Sequence, residues 1–253
     1  MAHILSEETS LTRKKDALRR ETGVLGYVLK AEAVIAVLLF LGGAVMLWRG
    51  GSSSLVWLGA ILGVICVGHH VKRNDNQREQ KKTEAGLAGE AKVSALLAEA
   101  LDNTHYIFND VLVRHGRKSA QIDHLIVSPR GIFVLETKNW RGRIEGDEHD
   151  ERWRQIKDPG EDPVWVSNPV RQCARHREFI TGALKRAGID WPDVHVLVVF
   201  MARTELAVRW TETPVLHPAD AADYIRHLPV DRVYSEAEVS NTLNYFMKEI
   251  GRA

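Results

Sequence analysis

Gln121-Ile122-Asp123-His124-Leu125-Ile126-Val127-Ser128-Pro129-Arg130-Gly131-Ile132-Phe133-Val134-Leu135-Glu136-Thr137-Lys138 decides the fold. Two runs rich in β-branched and apolar residues, 122–127 and 132–137, flank a Ser-Pro-Arg-Gly segment with the chemistry of a tight turn. A turn centred on Pro129-Arg130 sets Val127 opposite Ile132, Leu125 opposite Val134 and Asp123 opposite Glu136. Directly opposed residues of an antiparallel pair share one face, with Cβ atoms roughly 4.5–5.5 Å apart. Lys138, two residues past Glu136, projects from that same face. Two carboxylates so close repel unless a cation lies between them, so the spacing asks for a metal ion. The alternative is a solvated salt-bridge patch on an exposed hairpin. Against it, Ile132 and Val134 on one side and Phe133 and Leu135 on the other give a strand apolar on both faces, as a buried central strand is. A further run at 111–113 reads as a strand preceding these two.

Upstream, residues 86–101 have helical periodicity, with Val93, Leu97 and Leu101 on one stripe and Glu90 on the same stripe. A core-facing Glu is usually paired or ligated; the other reading is a first-turn residue favoured by the helix dipole. Gly86 and Gly89 either let this helix end approach another backbone or mark its start. Downstream, Asn168-Pro169 is a helix start, Asn as cap and Pro at the first position. The helix runs to about Ala187. Its stripe of Phe179, Ile180, Ala183 and Ala187 extends back through His176 to Gln172, which either face a substrate or sit as polar residues at a packing edge. Residues 194–200 form another buried strand, and two short helices follow from Pro218.

The 253-residue chain has a net charge of +1 that hides a segregation. Residues 33–48 and 55–68 are strongly apolar runs, and with 24–29 and 50–54 they reach the roughly 20 residues a bilayer span needs. Lys30 and Glu32 weaken the first span, but near an interfacial end they can snorkel. The alternative is a helical hairpin buried in a soluble core. Arg13, Lys14, Lys15, Arg19 and Arg20 precede the first run, Lys72, Arg73, Arg78, Lys81 and Lys82 follow the second, and the loop between holds only Arg49. Positive charge on that side places both termini and the remaining domain in the cytoplasm. The organisation expected is a basic N-terminal segment (1–23), a transmembrane hairpin (24–71), a basic linker (72–83) and one α/β domain (84–253). The two cysteines, Cys66 in the second span and Cys173 in the domain, suit neither a disulfide nor a zinc site. Arg114, Arg117 and Lys118, in the loop between the first two strands, are placed to meet phosphates.

From about Gly86 to Trp153 the chain resembles the nuclease-related domain, NERD, a branch of the PD-(D/E)XK nuclease superfamily. The residues that carry this are Gly86 and Gly89-Glu90, Gln121-Ile122-Asp123-His124, Pro129 with Gly131-Ile132-Phe133, and Glu136-Thr137-Lys138-Asn139; Trp140, Trp153, Asn168-Pro169 and Gln172 also fit. The resemblance covers roughly residues 84–200 and implies a restriction-endonuclease-like mixed sheet flanked by helices, preceded here by the hairpin. It implies Mg²⁺, or Mn²⁺, held by Asp123 and Glu136 with Glu90 as a direct or water-mediated ligand, because carboxylate oxygens suit a hard cation. Lys138 is expected to orient the attacking water or stabilise the transition state, acting on the reaction and not on the fold. The activity implied is hydrolysis of phosphodiester bonds in DNA at the membrane. The alternatives are an RNA-directed nuclease and a catalytically silent nucleic-acid-binding or scaffold module.

Overall fold

Four consecutive apolar residues, Ile132 to Leu135, give the strand Gly131–Lys138 two hydrophobic faces, and all four are fully buried. In the computed structural model, which describes residues 1–5, 10–115, 118–189 and 192–250, this strand is central. The first four strands are β1 (His3–Ile4), β2 (Tyr106–His115), β3 (Lys118–Ser128) and β4 (Gly131–Lys138). Then come β5 (Gly142–Gly146), β6 (Arg152–Ile156), β7 (Val164–Ser167), β8 (Val194–Phe200), β9 (Thr204–Val208) and β10 (Val215–Leu216). The helices are α1 (Ser10–Trp48), α2 (Ser54–Ala100), α3 (Pro169–Arg186), α4 (Pro218–His227) and α5 (Glu236–Ile250). A six-stranded mixed sheet runs β1-β2-β3-β4-β8-β10. Its middle is an antiparallel meander, β2 to β4, to which β8 adds in parallel.

Each face of β4 feeds one core. Ile132 and Val134 pack with Val170, Cys173, Ile180 and Leu184 of α3 and with Phe246 of α5. Phe133 and Leu135 pack with Val93 and Leu97 of α2 and with Ala221 and Ile225 of α4. The sheet is therefore a layer between helices, as the α/β reading expected. The register agrees as well: Leu125 pairs with Val134, Val127 with Ile132, and Ser128 with Gly131 closes the turn.

Four features differ from the sequence reading. No helix starts at Gly86: α2 is continuous through residues 72–83, expected as a linker, because Lys, Glu, Gln and Arg are good helix formers. Residues 1–23 are not all a basic segment, since His3–Ile4 pair in parallel with Tyr106–Ile107. Arg114 and Lys118 lie in paired strands, not in a loop. Finally, a second sheet, β7-β6-β5-β9, was not anticipated; it buries Ile144 and Trp153 against the α3 side of the core.

The chain divides into two compact units, Ser10–Ala85 being the second. Within it α1 and the first part of α2 pack against each other. A Cβ on Gly43 would lie 2.6 Å from the Val56 nitrogen, and one on Gly59 3.0 Å from the Ala36 oxygen. Such small residues are what let apolar helices approach. Lys14–Glu79 and Lys72–Glu21 ion pairs, each 2.7 Å, join the polar ends. Only 6% of each helix's most apolar window is buried, so these faces are not a soluble core; the two helices fit a transmembrane hairpin.

The β3–β4 turn is clamped from outside. The Ile132 nitrogen donates to the Asp193 carbonyl oxygen (2.8 Å), and the Tyr234 nitrogen donates to that of Pro129 (2.7 Å). Gly131 sits at φ +114°, with a Cβ site 2.7 Å from the Asp193 oxygen. Gly131→Ala should therefore lower the stability of the chain by about 1–3 kcal/mol, through strain at a left-handed φ plus the clash. Thermal unfolding in detergent measures this, and an unchanged melting temperature would contradict the clamp.

Candidate active site

The β3–β4 ladder ends at His124–Leu135, one residue short of the carboxylates. Asp123 stands next in register, opposite Glu136, and its Oδ2 accepts the Thr137 backbone N–H at 2.7 Å. A side chain has taken over the hydrogen bond the strand would have made. On the other side, the β2–β3 pairing skips from Asn109–His124 to Val111–Ile122, which leaves Asp110 in register with Asp123. Asp110 has φ +56°, a conformation Asp tolerates better than most residues. Phe108 and Val111, three residues apart, enter the same core cluster, as do Leu125 and Ile122. Both strands thus change the face they bury at Asp110 and Asp123. His124 points to the α2 side, where its Nδ1 meets Asn109 Oδ1 (2.7 Å) and Asn109 in turn donates to Ser94 (3.0 Å). Burial holds that imidazole down at about 4, so it is neutral.

Glu136 is almost wholly buried, with 3% of its side chain exposed. Its Oε1 accepts from Lys138 Nζ, and the same ammonium donates to Gln172 Oε1 at 3.2 Å and lies 5.6 Å from the Trp140 ring centre. Burial works against the charge of Lys138, but the carboxylates of Glu136 and Asp123 outweigh it and hold its pKa above the ordinary lysine value. Lys138 is thus an ion-pair partner in the interior, contrary to the expectation that it stands clear of the fold. Glu136 Oε2 has no hydrogen-bond partner among the described residues; His176 Nδ1 is 3.5 Å away. Burial lowers the His176 pKa more than the Glu136 charge raises it, so that imidazole is held toward neutral. Gln172 and His176 therefore both face the carboxylates from α3.

The first turn of α3 is fixed by Asn168. Its Oδ1 accepts the Val170 N–H (2.9 Å), while Nδ2 donates to the carbonyl oxygens of Asp147, Glu148 and Asp150 (3.2, 3.1 and 2.8 Å). From the other helix layer, Gly89 lets α2 touch the end of β4: a Cβ there would lie 2.7 Å from Asn139 Cβ. This close approach brings Glu90 into the field of the site. Burial, then the charges of Asp110 and Glu136, raise Glu90 from 4.5 to about 7. Burial, then Glu136 and Glu90, push Asp123 well above the usual carboxylate range, against the opposing pull of Lys138 and the Thr137 N–H.

Carboxylate crowding with one buried oxygen left unsatisfied fits a hard cation. Among the described residues no three His, Cys, Asp or Glu side chains form a ready-made cage. Mg²⁺ needs none, since it binds through one or two carboxylates and keeps several waters. Asp123 and Glu136 could supply those, with Glu90 beyond them.

Arg114 and Lys118 are exposed near the tip of the β2–β3 hairpin, and Lys118 is about 17 Å along β3 from Asp123. The structure does not bring them to the carboxylates. Arg117 lies outside the described residues. Asp110 and Trp140 are the neighbours of the site that sequence reasoning missed as participants. Asp110 could have been found by continuing the β2–β3 register one strand outward from Asp123.

The raised Glu90 pKa has a sign. An unfolded Glu90 loses its proton near 4.5 and the folded one near 7, so across that interval the folded chain holds more protons and its stability falls as pH rises. In EDTA, the melting temperature of the full chain in detergent should drop between pH 4.5 and 7, with Glu90 contributing about 1–3 kcal/mol. Glu90→Gln should flatten that part of the curve; an identical pH profile would remove Glu90 from the cluster.

Residues 85–201 match the model of a family described as the nuclease-related domain, NERD. An uncharacterized protein of Bacillus anthracis is similar to the chain, 39% identical over 72 residues, which are 28% of this chain and 34% of that protein. The chain thus spans about a third of the length of that curated relative. No solved structure matches. The segment that matches the NERD model holds Glu90, Asp123, Glu136, Lys138, Gln172 and His176, and it begins within α2, the second of two long apolar helices that fit a transmembrane hairpin.

Proposed function

We propose that this chain is a membrane-anchored, Mg²⁺-dependent nuclease that hydrolyses phosphodiester bonds in DNA. The observation that carries the reading is the set of Asp123, Glu136 and Lys138 gathered at the end of β4 around a buried carboxylate oxygen with no donor among the described residues. Asp123 and Glu136 would hold the cation, Mg²⁺ or Mn²⁺, with Glu90 directly or through water. When bound, the cation neutralises phosphate oxygens and makes water a better nucleophile.

The chain's own groups do the rest. Lys138 stays charged and is aimed by Glu136, Gln172 and the Trp140 ring, so it can donate to a phosphate oxygen or to the attacking water without reorganising. Where it meets the cation only through a water, Glu90 can take the proton that this water gives up. His176, held toward neutral, can donate one hydrogen bond without adding charge. A module that only binds nucleic acid has no use for a carboxylate pair that repels its ligand's phosphates.

Two substitutions separate chemistry from folding. Both Asp123→Asn and Lys138→Ala should reduce Mg²⁺-dependent cleavage of linear and circular DNA by about 10²–10³-fold. Their effects on stability in EDTA should be opposite. Asp123→Asn relieves repulsion and should raise the melting temperature or leave it unchanged, and it should abolish most of the further rise caused by Mg²⁺. Lys138→Ala leaves Glu136 buried without its partner and should lower it. Lys138→Arg should not restore full activity, because the planar guanidinium does not fit the place of an ammonium. DNA binding without cleavage by the wild type would instead support a silent module, and cleavage of RNA alone would reassign the substrate.

The basic residues on either side of the hairpin support an orientation with both termini and the NERD domain in the cytoplasm. A cysteine introduced as Ser53→Cys should react with an impermeant maleimide in intact cells, and Lys82→Cys should not. Labelling at position 82 would reverse the orientation, and full-length protein in the soluble fraction would remove the anchor.

A further inference from the structure

The second sheet turns Ile144 and Trp153 inward and leaves its other face to solvent. On that outer face Arg143, Arg152, Arg154 and Arg209 surround a groove of about 540 Å³ whose wall includes Trp165 and two carboxylates, Glu145 and Asp150. Two of the four arginines are braced. Glu145 meets Arg143 at 2.9 Å and Arg154 at 3.3 Å, and Arg143 also meets Glu205 at 2.7 Å. The other two are available. Arg152 donates to the Trp165 carbonyl oxygen (3.0 Å) and pairs with no carboxylate among the described residues. Arg209 has a side chain 80% exposed and meets Asp147 only at 4.0 Å. Trp165, directly opposite Arg154 in the β6–β7 pairing, is 52% exposed. An aromatic face open to solvent beside uncommitted guanidinium groups is the combination on which bases stack while phosphates are neutralised.

The groove belongs to a sheet pinned to the site. β4 leads through residues 139–141 into β5, and β8 leads through 201–203 into β9, both from the sheet end that bears Glu136 and Lys138. The Thr204 hydroxyl donates to the Trp140 carbonyl oxygen (2.5 Å) and Arg203 to that of Asn139 (3.2 Å), which ties the two connections together. We propose that the outer face of the second sheet binds a single-stranded segment of nucleic acid, with phosphates on Arg152 and Arg209 and a base against Trp165. The groove would thereby hold the strand beside the carboxylates. The inference rests on the nuclease reading for its purpose but not for its geometry.

The test uses the full chain in detergent with EDTA and a fluorescein-labelled oligothymidylate 20-mer, followed by anisotropy over a range of salt. Arg152→Ala with Arg209→Ala should weaken binding about ten-fold and reduce the log–log salt slope by roughly 1.4, the loss of two phosphate contacts. Trp165→Ala should weaken it at least about five-fold. Hydrolysis of bis(p-nitrophenyl) phosphate with Mg²⁺, a diester too small to span both places, should be unchanged in all these variants. Wild-type affinity and salt slope in the groove variants would overturn the proposal, as would insensitivity to Trp165→Ala with equal binding of duplex. A wild type that hydrolyses no diester while the groove variants still lose binding would end the nuclease reading and leave the groove standing. A hydrolysing wild type with unaffected groove variants would do the reverse.

Discussion

Like charges placed side by side where water screens them poorly repel strongly, and the arrangement around Asp123 and Glu136 contains that repulsion. Three devices share the task. The strand ladder gives way, so the Thr137 N–H serves Asp123 and not a backbone carbonyl. The Lys138 ammonium is drawn into the interior against Glu136. Protons are retained, with Glu90 and Asp123 both held above the ordinary carboxylate range. None of these lowers the cost of desolvation to zero, and the surrounding strands hold the groups in place by packing. β4 in particular is buried on both faces over its whole apolar run.

Legibility in the sequence followed locality. Ser128 to Gly131 is a turn of fixed length, so the register of β3 against β4, and with it the Asp123–Glu136 apposition, could be counted from one end. Asn168-Pro169 announced α3 for the same reason, since a cap and a first-turn proline act within one turn of chain. The second sheet was illegible because its order comes from pairings far apart. β5 pairs in parallel with β9, Gly142 meeting Thr204, and its strands are short and crossed by charges that mask an inward apolar set of only a few residues.

Where the reading erred, a local signal had two causes. Glycines at 86 and 89 fitted either a close approach or a helix start; the helix is unbroken there, and at Gly89 the missing side chain serves the close approach, to Asn139. Lys138, three residues past the last apolar position, suggested a group that acts on the reaction and not on the fold, but Glu136, Gln172 and the Trp140 ring enclose it, and Gln172 comes from a helix distant in sequence. Asp110 carried no periodic signal of its own; a register counted outward from Asp123 reaches it, while its left-handed φ is not written in the sequence. Gln172 and His176 lay visibly on the inward stripe of α3; what they face was decided by the sheet beneath that helix.

Asn168 joins α3 to three carbonyl oxygens of the loop before β6 through a single amide, and an amide is chemically perishable. Asparagine ages to aspartate when the next residue's backbone nitrogen attacks the side-chain carbonyl and closes a five-membered imide. An aspartate at this place would turn an oxygen toward three carbonyl oxygens and lose the donors that hold them. The following residue is Pro169, whose nitrogen carries no hydrogen. The proline that starts the helix therefore also closes the ordinary route by which its cap would decay, and the anchor of the site is protected against time by the residue it caps.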